Sequence, residues 1–410
     1  MKTPGDGAKL LHALAERVRE ASQSRQNQER RRLWTDTNGL RRAERPPVFL
    51  ELYDTWPEIL PASSLVASDP LARQVELGLR QALYKVDLGD DDVVEPWIDV
   101  EAVTNLGKNR GVALWGIDLG KVQSAEGAWL YADHPIRGID DLGKLSAPHL
   151  HYDAAATEER RARAEELVGG ILPARVTLGN TWRQWAKLHA WAAAFCGLQN
   201  LYVLMIEQPA FVHALMRFLR DGILHLMDEV ERAGILRLNN TGRLSCDDLP
   251  SPGLEEGEVR FRHLWGRGES QEIDGVSPGM FEEFLFQYQL PILSRFGVTN
   301  YGCCENLTDK IGIVLRLPNL RQFICSAWTS VEEAARQVGD RCAIEWRGKA
   351  PEVIAAADRR ELRKPLEEGL RVLKGCRVQI MLDSIMTTNG NPGRLKEWVD
   401  VAKEAAARFS

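Results

Sequence analysis

No stretch of this sequence approaches about 18 uninterrupted apolar residues, so a helix crossing a bilayer is not expected. Positive charge does not dominate either. Lys and Arg number 52 against 58 Asp and Glu, a formal net charge of −6. Nothing in this balance suggests the basic domain or stripe that nucleic-acid binding requires, and it fits a large acidic enzyme kept in solution by like charge. The N-terminus lacks an apolar core followed by a small-residue cleavage site, so no secretory signal is expected. The stretch 17–45 is rich in Arg and Gln like a transit peptide, but Glu16, Glu20 and Glu29 in and beside it argue against one. It reads instead as an exposed helix leading into the main domain. Cysteines are few and odd in number, seven in 410 residues, and Cys303 and Cys304 are adjacent. A disulfide framework is therefore not expected, and a reducing cytoplasm fits better. Cys325, Cys342 and Cys376 lie in or beside apolar runs and read as small buried hydrophobes. The sequence also lacks a P-loop, a dinucleotide glycine fingerprint, HExxH and GxSxG. Repeats with a period of roughly 20 to 50 residues are missing too.

What recurs is an alternation of element types. Short β-rich runs cover 47–52, 93–98, 175–179, 235–239, 297–301, 320–325, 342–346 and 377–382, with helical patterns between them. Several runs are apolar on both faces, as parallel strands covered on both sides must be. Ser277 followed by Pro278 opens one helix, which Gly297 stops. Ser330 opens another, with Glu333 in the capping-box position. Pro209 to Arg232 reads as one long helix, and Pro392 to Phe409 as a closing amphipathic one. This order predicts an α/β fold, an eight-stranded (β/α)8 TIM barrel over 47–410, preceded by a helical extension over 1–46. Two stretches interrupt the repeat. Residues 113–133 read as a hairpin inserted after strand two, and 242–272 as a long polar loop after strand four. Loops of that length are usually functional, and both would lie on the active face.

In a parallel barrel, polar residues just past the strands converge on one face. The candidates are Glu51, Tyr53 and Asp54; Trp97 and Asp99; Asn180, Trp182 and Arg183; Asn239, Asn240 and Thr241, with Asp247 and Asp248 beyond; Tyr301 through Asn306; Ser326 and Trp328; Glu345, Arg347 and Lys349; and Asp383 with Ser384. The run Tyr301-Gly302-Cys303-Cys304-Glu305-Asn306 is the most unusual. Two thiols and a carboxylate suit a divalent metal such as zinc. Alternatively, one thiolate serves as a nucleophile, or one cysteine simply packs inward. Arg347 and Lys349 offer an anion site, since guanidinium forks match carboxylates. Asp383 ends an apolar strand, where a carboxylate needs a partner, a ligand or a helix to cap. Asn239 and Asn240 read either as ligand-binding residues or as a turn. Tryptophans 97, 115, 129, 182 and 328 fall on strand ends and loops, where aromatic walls suit a pocket. His149 and His151 form an H-x-H pair in a polar connection and read as surface loop.

From about Arg45 onward the chain resembles the uroporphyrinogen decarboxylase superfamily, which includes cobalamin-dependent methyltransferases. Pro46-Pro47-Val48-Phe49-Leu50 with Trp56-Pro57-Glu58 is similar to that family's first strand. The run Asn300 to Leu307 lies where the methyltransferases carry a His-x-Cys-Gly zinc motif, and Ile380 to Val399 matches the segment supplying their last cysteine ligand. The nearest likeness is to members reading Tyr-Gly-Cys-Cys-Glu at strand five. On this resemblance Cys304 matches the zinc cysteine. Gly302 stands in place of the histidine, and Ser384 or Ile385 in place of the last cysteine. The decarboxylase's arginine-rich opening loop is replaced by Glu51-Leu52-Tyr53-Asp54, so uroporphyrinogen itself is not the expected substrate.

The resemblance implies an enzyme acting on a small molecule, often dimeric in this family. The first expectation is corrinoid-linked methyl transfer. In it Cys304, Cys303 and Glu305 hold zinc, Asn239, Asn240 and Trp328 line the corrinoid side, and a corrinoid protein is a candidate partner. The second is a metal-independent decarboxylase or lyase. There Arg347 and Lys349 bind a carboxylate, and Glu305, Asp383 or Tyr301 handle protons. A non-enzymatic binding barrel is a third reading.

Overall fold

The computed structural model describes residues 4–107, 113–123, 129–253 and 257–409. Its strands, in chain order, are β1 (Val48–Leu50), β2 (Ile98–Glu101), β3 (Lys121–Gln123), β4 (Trp129–Tyr131), β5 (Ala174–Thr177), β6 (Trp265–Gly268), β7 (Val298–Tyr301), β8 (Leu320–Cys325), β9 (Ala343–Gly348) and β10 (Arg377–Leu382). Six of them form one parallel sheet in the order β1-β10-β9-β8-β7-β6, and β2 and β5 form a parallel pair. The first strand thus lies beside the last. Helices separate most successive strands, as parallel connections demand. The fold is a mixed α/β architecture built mainly on parallel strands.

The ladder is interrupted beside β1, and two aspartates explain how that edge is satisfied. Asp91 donates its N–H to Val48 O at 2.8 Å, and its carboxylate accepts the Val48 N–H at 2.8 Å. Asp90 accepts the Leu50 N–H at 3.1 Å. Both carboxylates are buried, so both need cations. Asp90 receives Lys85, while Asp91 receives Arg45 at 2.7 Å and Lys403 at 3.2 Å. These side chains take the bonds a neighbouring strand would otherwise make. The expected strand 93–98 is correspondingly displaced. Val94 exchanges both of its backbone bonds with the Asn27 side chain, and the strand proper begins at Ile98, after Pro96.

The expected strand over 235–239 also gives way. That segment is irregular, and the ladder position belongs to β6, inside the stretch read as a loop. Its sequence, Trp-Gly-Arg-Gly, carries two glycines that suggest a turn. In the structure the rings of Phe296 and Tyr301 fill the space where a Cβ on Gly266 or Gly268 would stand. The glycines therefore serve close packing within a strand. The long polar insertion accordingly precedes this strand and does not follow it. The hairpin expected within 113–133 is present as the antiparallel pair β3–β4.

The capped helices form largely as read. Ser277 accepts the Met280 N–H at 3.3 Å, and Ser330 accepts the Glu333 N–H at 3.2 Å. The first of these contains a wide turn over Glu282–Phe286 and then Pro291. Pro209–Arg232 is one helix. The N-terminal stretch, expected to be exposed, has a buried face. Helix Pro4–Gln23 packs Leu11, Leu14 and Val18 with Val75 and Leu79, and helix Arg25–Asn38 sets Trp34 edge-on to Phe49. Asn38 is fully buried and donates to Arg243 O and Ser245 O, both at 2.9 Å. Among the described residues no single helix is long and apolar enough to cross a membrane.

Candidate active site

Because the strands are parallel, β6 to β10 end on one face, and their last residues and following turns come together there. After β7 the chain turns at Gly302, whose φ is +120°. A Cβ at this position would sit 2.8 Å from Ile324 O and 3.2 Å from Leu307, so only glycine fits. This turn delivers Cys303 and Cys304 to the strand-end face, half-buried, with their Sγ atoms 3.8 Å apart. After β10, Ser384 adopts a left-handed backbone with φ of 58°. For a residue other than glycine that conformation costs about 1–2 kcal/mol. It sets Ser384 Oγ 3.9 Å from Cys304 Sγ and 3.3 Å from Asp383 Oδ1.

Beneath the thiols lies a buried charge network. Glu345, 1% exposed on β9, accepts from Arg347 Nε at 2.8 Å and from Arg243 Nη1 at 2.7 Å. Arg347 also donates to Cys303 O at 3.2 Å and pairs with Asp383. Arg267, on β6, donates to Gly302 O at 2.9 Å. Beside it Glu269 receives Lys187 at 2.6 Å. Arg243 Nη2 and Arg267 Nε are buried with no hydrogen-bond partner among the described residues. Burial alone would raise the Glu345 carboxyl, but the guanidiniums of Arg347, Arg243 and Arg267 override it and hold it at about 2.

The two thiols titrate apart. A hydrogen bond from Cys303 stabilises the Cys304 thiolate, and Arg347 adds to this against burial and Asp383, bringing Cys304 down to about 7. Cys303, as the donor, is pushed up, first by that bond and then by burial. One thiol thus keeps its proton so that its neighbour can lose one near neutrality.

Other sequence candidates take different places. Tyr301 is fully buried, donates to Gln289 Oε1 at 2.7 Å and packs on Phe281 and Phe286, so it is a core side chain. Glu305 is buried too. One oxygen accepts the Ser270 N–H at 2.8 Å, the other has no partner among the described residues, and burial together with Glu269 raises its pKa. Asn239 exchanges two bonds with the Trp265 backbone, and Asn240 binds Cys246 and Leu249. Both asparagines pin the insertion through these backbone bonds. Asp247 and Asp248 pair with Arg41 and Arg321, beside Asn38. Lys349 is half-exposed and pairs with Glu352 at 3.2 Å. Trp328 is 68% exposed on the rim, with Tyr53 at 50% and Met386 at 70%, all just past strand ends. The side chains of Trp129, Asn180 and Trp182 lie outside the described residues. Sequence reasoning missed Arg243, Arg267, Glu269 and Lys187. The first three sit in the stretch read as a polar loop, where an arginine carries no sign of burial.

The donor set can be tested against the expected zinc. Tetrahedral zinc with Zn–S near 2.3 Å sets its sulfurs about 3.8 Å apart, the spacing found for Cys303 and Cys304. Among the described residues a third ligand is missing. Glu305 is held by Ser270, Asp383 by Arg347, and among the described residues these groups do not bring three ligand atoms within 4.8 Å of one another. Two thiols beside a guanidinium do not fit a resident zinc site.

No family model and no curated protein matches this sequence. Among solved structures, the chain is similar to a methyltransferase from Methanosarcina mazei, with a TM-score of 0.51 over 91% of this chain and 97% of that one, at 13% identity. At that identity the likeness establishes a shared fold.

Proposed function

We propose that the chain is an enzyme of the methyltransferase kind on a closed eight-stranded barrel, transferring a methyl group to a small thiol acceptor at the strand-end face. The observation that carries the reading is the thiol pair Cys303 and Cys304, sulfurs 3.8 Å apart on the strand-end face where Arg347 holds the turn, in a chain whose fold is similar to that of a methyltransferase. In the proposed step the Cys304 thiolate takes the proton of the acceptor thiol. The acceptor sulfur then attacks the methyl carbon, its bond to carbon forms, and the donor departs with the electron pair. Arg243 and Arg267, buried guanidiniums of which Arg267 Nε also faces Glu269 at 3.7 Å, hold an anionic group of the acceptor. Glu345 and Asp383 fix Arg347, which steadies the turn through Cys303 O. The exposed apolar rim of Tyr53, Trp328 and Met386 fits a corrinoid or the apolar face of a corrinoid protein. Such a group would supply the methyl carrier. The test is transfer of labelled methyl from methylcobalamin to small thiols. A rate that survives Cys304→Ser unchanged rejects the reading.

A second reading, a metal-independent decarboxylase or lyase, is favoured by the buried guanidiniums themselves, which suit a substrate carboxylate. Carbon dioxide release from carboxylated substrates, lost in Arg267→Ala and retained in Cys304→Ser, would select it.

A further inference from the structure

His149 and His225 come from distant parts of the chain and aim at one atom. His225 and Glu229 lie one turn apart on the helix Pro209–Arg232 and so share a face. His225 Nε2 is 3.1 Å from Glu229 Oε1, and His149 Nδ1 is 3.0 Å from the same oxygen. The two rings meet edge to face, with centroids 5.2 Å apart. The arrangement is built. Asn105 donates to His149 O at 2.7 Å and accepts the His151 N–H at 2.9 Å, clamping the loop on both sides of the imidazole. Glu229 Oε2 accepts the Leu150 N–H at 2.6 Å, which orients the carboxylate. A Cβ at Gly222 would stand 2.8 Å from Pro148, so glycine lets the loop press against the helix. Asp228 and Glu231 in its last turns pair with Arg295, just before β7 begins, which places them at the strand starts and away from the thiols.

We propose that His149, His225 and Glu229 form a binding site for a divalent transition ion of the zinc class, tying the loop after the hairpin to this helix. The three ligand atoms lie within 4.8 Å of one another. Tetrahedral zinc with Zn–N near 2.0–2.1 Å separates its ligand atoms by about 3.3 Å, so on binding each Glu229 contact lengthens by a few tenths of an ångström and both rings turn from the carboxylate oxygen toward the ion. Two imidazoles and a carboxylate leave the fourth position to water. The leucine amide on Glu229 supplies the outer-shell bond that such carboxylate ligands require.

The test uses the full chain carrying Cys303→Ser and Cys304→Ser, so that the paired thiols cannot contribute, titrated with Co(II) and then Zn(II). The expected result is one saturable equivalent with visible d–d bands of low coordination number and no thiolate charge transfer. Affinity should fall by about tenfold or more in both His149→Ala and His225→Ala. These histidines are exposed, so circular dichroism of the variants should match the parent. Absence of saturable binding up to about 100 μM metal, or binding unchanged in both variants, would mean that the cluster is an ion pair only and would overturn the proposal.

Discussion

Replacing Cys303 by Ala removes the S–H that holds the Cys304 thiolate. Cys304 then loses the largest influence that brings it to about 7 and returns toward its ordinary value of 9.0 or above, since burial and the Asp383 charge remain. At pH 7 a thiol of pKa 7 is half ionised, and one of pKa 9 is about 1% ionised, a loss of about 50-fold in thiolate. The more basic thiolate is intrinsically more reactive. A Brønsted slope of about 0.4–0.5 over about two units returns roughly eightfold. Alkylation of Cys304 by iodoacetamide at pH 7 should therefore slow by about sixfold, and the midpoint of its pH profile should rise by about two units. Mass spectrometry of the Cys304 peptide across about pH 5 to 10 reads both quantities. A midpoint that stays put or moves down would show that Cys303 is not the donor, and the electrostatic basis of the proposed site would fall with it.

Other residues give independent checks. Glu345 is held at about 2 in the folded chain against an ordinary 4.5, so the stability it contributes is complete above about 4.5 and lost as pH falls toward 2. Urea unfolding should steepen in that window, and Glu345→Gln should flatten it. Arg347→Ala leaves Glu345 and Asp383 short of a cation and should cost about 3–5 kcal/mol in the same assay at neutral pH; a loss under about 1 kcal/mol would contradict the network. Gly268→Ala drives a methyl into the Tyr301 ring and Leu293, so a destabilisation of about 1–3 kcal/mol is expected in thermal melts. Tyr301→Phe should lower stability by about 1 kcal/mol and leave turnover nearly unchanged, because its buried hydroxyl bonds Gln289 and Ser270 within the core; a large loss of turnover would restore it as a catalytic group.

The sequence made much of the fold legible, because apolar runs and helix caps are local signals. Strands β7 to β10 fall within two residues of the apolar runs that announce them, and Ser277 and Ser330 cap as their spacing implies. What stayed hidden depends on partners remote in the chain. Trp265-Gly266-Arg267-Gly268 is a strand because Phe296 and Tyr301 need the room, and neither ring is visible from within the tetrapeptide. Strand propensity at 93–98 yields to Asn27 and to the aspartates that bond β1. At the site, Cys303, Cys304, Arg347 and Asp383 could be read from their positions at strand ends. The asparagines and Tyr301 are equally polar and equally placed, but their side chains point to backbone or core, a direction sequence does not record. Arg243 and Arg267 escaped for the opposite reason: charge in a glycine-rich stretch reads as solvated surface until a buried Glu345 is found beneath it.

The central claim is that Cys304 is the proton acceptor in methyl transfer at the strand-end face. Its most direct test is the rate of methyl transfer from methylcobalamin to a small thiol by the intact chain and by Cys304→Ser, followed against pH. The account predicts a rate that rises with a midpoint near 7 in the intact chain and falls by about 10² or more in the variant. Equal rates in the two proteins, or a profile flat through neutrality, would contradict it.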